Sequence, residues 1–239
     1  MIEEPNKAVS EATLRRLPVY HRYLKQLQEV GSPFVSCTHI GVELNLDSTQ
    51  VRKDLEATGI VGKPKVGYAV PGLIDAIEQF LGFNVVNEAC LVGVGNMGAA
   101  LLGYRKFHEY GLDIVAVFDS DPAKIGGTIH GKPILPAAKL ADLTQRMHIL
   151  MGIITVPATA AQEVADVMVR GGIRAIWNFA PIHLRVPAEI ILRNEDLYCS
   201  LASLSQKLAQ ALRQRGVPWP ATVEAMPMPQ PLNQEIRPQ

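Results

Sequence analysis

Cysteine is scarce in this chain: Cys37, Cys90 and Cys199 are the three among 239 residues, and they lie far apart. That number and spacing exclude a disulfide framework and a cysteine-built zinc cluster, and they suit a reduced, cytoplasmic setting. An excess of charge of either sign is also lacking. Lys and Arg number 23 and so do Asp and Glu, so any grip on nucleic acid must come from local arrangement. No apolar run approaches the roughly 20 residues of a membrane span. The acidic opening Met1-Ile2-Glu3-Glu4-Pro5 has no signal-peptide core. The six histidines, at 21, 39, 108, 130, 148 and 183, are scattered, so no metal site is expected. His183 alone follows a strand-edge loop, where a loop histidine is the simpler reading.

What is present is an ordinary globular composition, 48% hydrophobic and 19% charged, enough for one or two domains. One stretch organises the rest. An apolar run, Ala89 to Val92, enters Gly93-Val94-Gly95-Asn96-Met97-Gly98, and a small-residue helix is predicted from Ala99 to Tyr110. In G-x-G-x-x-G the first glycine permits a tight turn, the second admits a pyrophosphate, and the third lets helix and strand approach. The helix N-terminus then offers N–H groups to phosphate. A second apolar strand, Ile114 to Phe118, ends in Asp119, about 20 residues on, where such folds place a ribose-binding carboxylate. A glycine-rich αβ turn beside an acidic loop is the plainer alternative. Ser120, Asp121 and Lys124 follow; two carboxylates would repel a 2′-phosphate, which favours NAD(H) over NADP(H).

Further along, Gly126 to Ile134 reads as an irregular excursion or hairpin, and Leu135 to Leu143 as a helix. Ile149 to Pro157 is a continuous apolar run, as for a strand covered on both faces. It is followed by a helix over 158–170 and a strand with its edge loop over 175–181. Strands alternating with helices predict a doubly wound parallel sheet. Glu195 to Arg215 is predicted as a helix with Leu197, Leu201, Leu204, Leu208 and Leu212 on one stripe, which would cover its own sheet or dock on another subunit. Residues 216–239 are Pro-rich, the composition of a disordered tail.

Ahead of all this, residues 11–30 form a helical pattern in which Pro18 marks either a start or a kink. Ser36 or Thr38 caps a short helix, and Asp47 or Ser48 caps a second, Thr49 to Ala57. This is a helix-turn-helix layout with Ser48, Thr49, Gln50, Arg52 and Lys53 along the second helix. Gly59 to Val70 reads as a hairpin with Lys63 and Lys65 at its tip, placed as a wing would be. A helical dimerisation or lid domain with charged outer faces is the alternative. A connecting helix over 71–83 brings the boundary near residue 84, with 85–195 as the dinucleotide half. Too little chain follows for a substrate domain, and no acid–base residue stands out for the nicotinamide, so no catalytic residue is assigned. An NAD-dependent oxidoreductase with an unusual N-terminal domain is the runner-up, and a thiol-based regulator a third reading.

With both halves in view, the sequence resembles the Rex family of redox-sensing transcriptional repressors. The resemblance rests on Arg15-Arg16-Leu17-Pro18-Val19-Tyr20 with Arg22-Tyr23-Leu24, and on Gln50-Val51-Arg52-Lys53-Asp54-Leu55. It continues with Lys63 through Tyr68, Gly93 to Gly98 with Tyr104, Phe118-Asp119, Thr155-Val156-Pro157-Ala158 and Asn178-Phe179-Ala180-Pro181. It implies a homodimer of winged-helix (1–84) and Rossmann (85–195) domains that exchange the helix at 196–215. NADH would favour a closed dimer that leaves a palindromic operator, and NAD+ would permit binding. The genes so repressed would serve anaerobic and fermentative NADH reoxidation.

Carried over by position, the resemblance implies that Gly93, Val94, Gly95, Asn96, Met97 and Gly98 cradle the pyrophosphate and that Asp119, with Ser120 and Lys124, holds the adenosine ribose. Thr155, Val156, Pro157 and Asn178 to Pro181 would border the nicotinamide. Arg15, Arg16, Lys63, Lys65 and the second helix's polar residues would contact double-stranded DNA. In the family, Tyr104 and Arg22 trade contacts with an acid early in the exchanged helix. Here Ser200 aligns with that acid, and Leu201 with an aromatic that approaches the nicotinamide. Ser200 cannot pair with Arg22; Glu195 or Asp196, one turn away, would substitute.

Overall fold

The structure, a computed structural model, describes residues 9–215; the tail anticipated at 216–239 lies outside them. A helical core and a second core, made of two clusters of buried residues on a sheet, occupy the unit that ends at Asn194, and a second unit begins at Glu195.

The first core is helical. Helix α1 (Glu11–Glu29) is capped by Ser10 and packs Leu17, Tyr20 and Leu24 inward. It does not start at Pro18, which sits inside it; the helix continues through the proline, whose missing backbone bond is offset by the burial of Leu17, Tyr20 and Leu24. Strand β1 (Phe34–Val35), which the sequence did not signal, leads to α2 (Cys37–Leu44) and α3 (Ser48–Glu56). Ser36 caps α2, with His39 N donating to its Oγ, and Asp47 caps α3, accepting from Thr49 N and Gln50 N. Lys63 and Gly67 then close a tight hairpin through a mutual pair of backbone bonds, and β2 (Tyr68–Ala69) returns to pair with β1. The wing is therefore a short loop on a two-residue ladder, less than the hairpin expected over 59–70. Helix α4 (Val70–Leu81), with Pro71 in its first turn, packs on α1.

The second core is a seven-stranded sheet ordered β5-β6-β4-β3-β7-β8-β9. Its strands are β3 (Asn87–Val92), β4 (Leu112–Asp119), β5 (Thr128–Ile129), β6 (Lys132–Pro136), β7 (Met151–Ile154), β8 (Ala175–Asn178) and β9 (Ile191–Asn194). All pairings are parallel except β5 with β6. The chain runs outward from β3 on one side and then outward through β7 on the other, so the strand order reverses between β3 and β7. Ligands bind at that point in doubly wound sheets.

Helix α5 (Asn96–Gly103) starts three residues earlier than expected and stops at Tyr104, after which Arg105–Tyr110 is a 3-10 turn. The expected helix at 135–143 is corrected as well. Leu135 and Pro136 finish β6, Ala137–Lys139 is a 3-10 turn, and α6 is Leu140–Arg146. An apolar run of Ile-Leu followed by proline carries a strand, and the helix starts only where proline no longer blocks it. Helix α7 (Ala158–Arg170) and α6 cover one face of the sheet. Strand β9, an edge strand, had no clear period-two signature in the sequence.

The cores are joined by more than a linker. His21 of α1 meets Phe83 and Tyr110 edge-on, with ring centroids 5.6 and 6.0 Å away. Glu11 pairs with both Arg15 and, at 2.6 Å, Arg193 of β9. The second unit's described part is α8 (Leu197–Gln214), capped by Asp196, which accepts from Tyr198 N and Cys199 N.

Candidate functional site

A cleft of about 970 Å³ opens at the reversal point, within the size range of ligand pockets. The carboxyl ends of β3 and β7 supply its floor, through Gly93, Gly95, Thr155, Val156 and Pro157. Gly93 has φ +103°, and a Cβ there would meet Val156 Cγ1 at 2.8 Å. Thr155 Oγ1 donates to Gly93 O at 2.7 Å and bonds Val92 O at 3.0 Å, tying the two strand ends together. A Cβ on Gly98 would run into the Gly93 carbonyl oxygen. Around Gly95, by contrast, a Cβ would meet nothing within 4 Å. The protein itself does not require glycine at 95; a ligand pressed against the backbone would. Gly95 is also the N-cap of α5 and offers no side-chain acceptor, so the first-turn N–H groups lack an intrahelical partner. These residues fit a dinucleotide pyrophosphate.

Asp119 is 7% exposed at the end of β4. Its Oδ2 accepts Val94 N at 2.7 Å and Lys124 Nζ at 3.3 Å, and its Oδ1 accepts Asp121 N at 2.9 Å. Burial alone would push its carboxyl up; the N–H groups of Asp121 and Val94 and the Lys124 ammonium outweigh that and hold it below the usual carboxylate range. Ser120, Asp121 and Lys124 stand beside it on the cleft wall. From there the cleft continues between α7, through Val164 and Val167, and the small residues Ala137, Ala138 and Ala141. This slot, whose α7 side also carries Glu163 and Arg170, was hidden from the sequence because 135–143 read as one helix; Pro136 was the available signal of a break.

Of the residues expected around the nucleotide, Gly93, Gly95, Met97, Asp119, Ser120, Lys124, Thr155, Val156, Pro157 and Phe179 line the cleft. Val94 faces the core and serves through its N–H; Gly98 is buried beneath the turn, and Asn96 is exposed on the first turn of α5. Asn178 is fully buried: its Nδ2 donates to Ala180 O, Ile182 O and Asn194 Oδ1, and its Oδ1 accepts Ala180 N. Its polar atoms shape the edge loop that presents Phe179. Ala180 is buried, while Pro181 and His183 are exposed, and none of the three lines the cleft. Tyr104 lies outside it too, half-exposed. It connects by rings instead: Tyr104–Phe107 and Phe107–Trp177 meet edge-on at centroid distances of 4.9 and 5.7 Å, and Trp177–Phe179 meet tilted at 4.8 Å.

On the helical domain, Thr49, Arg52, Lys53, Lys63 and Lys65 are exposed and Ser48 is half-buried at the start of α3. Arg15 is exposed and pairs with Glu11. Arg16 and Gln50 are drawn inward by Asp54, a residue 1% exposed. Arg16 Nε and Nη2 donate to the two Asp54 oxygens at 2.6 and 2.8 Å, and Tyr20 OH, Thr13 Oγ1 and Gln50 Nε2 donate at 2.7, 3.0 and 3.0 Å. Burial raises the Asp54 pKa, and these four partners more than reverse it. The cluster fixes α3 on α1. Its sequence signal was an acid three residues after Val51 and one before Leu55, on the apolar stripe.

Arg22 is exposed on α1, and Ser200 and Leu201 are exposed on α8. Leu197, Leu201, Leu204 and Leu208 are each 52–65% exposed. Cys90 is buried and its thiol is pushed up to about 12 by desolvation, and Cys199 donates to Asp196 Oδ2, which raises its pKa. Neither is an activated thiolate. Among the described residues there is no cluster of metal-ligating side chains and no helix long and apolar enough to cross a membrane.

Two family models match the chain: "CoA binding domain" over residues 86–182 and "Putative DNA-binding protein N-terminus" over residues 8–56. It is 43% identical over 200 residues to the redox-sensing transcriptional repressor Rex of Bacteroides thetaiotaomicron, covering 84% of this chain and 91% of that protein. To the Rex of Treponema denticola it is 46% identical over 198 residues, covering 83% and 94%. Among solved structures it resembles RSP, a Rex-family repressor. The crystal structure of RSP with β-NAD+ and operator DNA superposes with a TM-score of 0.82 at 34% identity, covering 88% of this chain and 97% of that one. The RSP complex with β-NADH gives 0.79 at 33%, covering 88% and 99%.

Proposed function

The chain belongs to the Rex family of redox-sensing transcriptional repressors, and from that premise we propose how its parts divide the work. It is a DNA-binding repressor that senses the NADH/NAD+ ratio and acts in the cytoplasm as a homodimer. Residues 1–84 read a palindromic operator with α3 in the major groove and the Lys63–Lys65 loop beside it. Residues 85–195 hold NADH or NAD+ in the cleft, the pyrophosphate over Gly93–Gly98 and the nicotinamide toward Val156, Pro157 and Phe179. The helix at 196–215 covers its exposed leucines against a second copy, in the exchange that the family implies. Glu195 or Asp196 supplies the acid opposite Arg22 of the other copy in place of Ser200.

The observation that carries this reading is the open backbone at Gly95, a cradle for phosphate, in one chain with an exposed basic face on α3. The nucleotide is a signal and is not turned over. That reading is supported by the relatives, which are named transcriptional repressors. A ligand shifts an equilibrium only by its differential affinity, so NADH must prefer the DNA-free form. A preference of about 100-fold corresponds to about 2.7 kcal/mol of coupling. Operator binding titrated with each nucleotide tests it: NADH releases the DNA and NAD+ does not. Equal release by both defeats the proposal.

A further inference from the structure

The acid at the end of β4 is the residue that such folds credit with choosing the nucleotide, yet its oxygens are turned toward the protein. Asp119 Oδ2 accepts Val94 N and Lys124 Nζ, Oδ1 accepts Asp121 N, and the side chain is 9% exposed. A carboxylate so held fixes the glycine turn and the following loop. Two residues on, Asp121 keeps a side chain 44% exposed on the cleft wall. Its Oδ1 accepts Ala123 N at 2.9 Å, and its Oδ2 lies 3.6 Å from Lys124 Nζ. Lys124 is thus shared between two carboxylates, and the group of three carries a net charge of minus one.

We propose that Asp121 and Lys124, rather than Asp119, set this protein's choice between the 2′-hydroxyl and the 2′-phosphate of an adenosine ribose. The inference rests on the nucleotide reading above and deepens it. A 2′-phosphomonoester carries close to two negative charges near neutrality. It meets a wall with one surplus negative charge, and the ammonium that could receive it is already held between Asp119 and Asp121. A 2′-hydroxyl meets the same wall as a neutral donor to Asp121. The lysine is therefore a latent phosphate site, masked by its second carboxylate.

The experiment measures binding of NADH and NADPH by the full-length protein, for the unaltered chain and three variants. The unaltered protein prefers NADH by at least about 100-fold. Asp121→Ser unmasks Lys124 and narrows that preference by about tenfold or more. Lys124→Met, which leaves two unbalanced carboxylates, widens it. Asp119→Asn loosens the glycine turn and weakens both nucleotides by a similar factor, leaving their ratio in place. The proposal is overturned if Asp119→Asn collapses the ratio while Asp121→Ser leaves it, or if the unaltered protein takes NADPH as readily as NADH. Should neither nucleotide bind the unaltered protein, the sensing function fails first and this inference with it.

Discussion

Two glycines three residues apart give opposite predictions. At Gly98 an alanine methyl would overlap the Gly93 carbonyl oxygen and sit 3.0 Å from Thr155 Oγ1. Neither neighbour can yield. Gly93 is already at φ +103°, and Thr155 Oγ1 holds the same carbonyl at 2.7 Å. Overpacking of this kind costs about 1–3 kcal/mol, and against backbone the upper end applies. At about 2–4 °C per kcal/mol for a protein of this size, Gly98→Ala should lower Tm by about 6–12 °C. Gly95 has φ −88°, and a methyl there meets nothing within 4 Å, so Gly95→Ala should keep Tm within about 2 °C. That methyl would instead stand where the proposed function puts the pyrophosphate. NADH affinity should fall at least about tenfold, or about 1.4 kcal/mol, while operator binding without nucleotide persists. Thermal unfolding, NADH titration and operator binding read the three quantities separately. A Gly95→Ala protein that binds NADH like the parent would refute the pyrophosphate placement; a Gly98→Ala protein with unchanged Tm would refute the steric reasoning.

Asp54 predicts acid behaviour: its folded pKa is depressed, so its stabilisation is fully present above the unfolded value of about 3.9 and is lost as pH falls through the folded value. Asp54→Asn should cost about 3 kcal/mol or more by stranding Arg16 and should flatten that acid limb in a circular-dichroism titration; an unchanged limb assigns the transition elsewhere. Arg52→Ala should weaken operator binding by about 1–3 kcal/mol if it contacts a base edge, read by electrophoretic shift, and equal affinity removes it from the contact surface. Removing residues 196–239 should leave a monomer in sedimentation; a surviving dimer would contradict the exchanged helix.

Much of this was legible in the sequence because it was written in local signals. Glycines at fixed spacing, caps at Ser36 and Asp47, and the period of three and four in α1 and α8 each impose their geometry within a few residues. What escaped depended on distance. Strand β9 exists through its pairing with β8, and the Asp54 cluster draws on α1 residues 34 to 41 positions earlier. Asn178 was expected to border the nicotinamide because the resemblance places its loop there. Only the fold shows its four bonds closing on its own loop and on Asn194. Tyr104, expected from the resemblance to contact an acid of the exchanged helix, stands at the end of a row of rings that leads to the cleft.

That row of rings has an optical consequence. The sequence contains two tryptophans, and the one among the described residues, Trp177, touches Phe179 on the cleft wall. With Trp219 changed to phenylalanine, the indole at 177 becomes the sole emitter of its kind. Reduced nicotinamide absorbs in the band where indole emits and its oxidised form does not. If the nicotinamide lies beside Phe179 as proposed, NADH should quench that emission and NAD+ should not, which gives a gauge of the cofactor's oxidation state readable without dye, label or DNA.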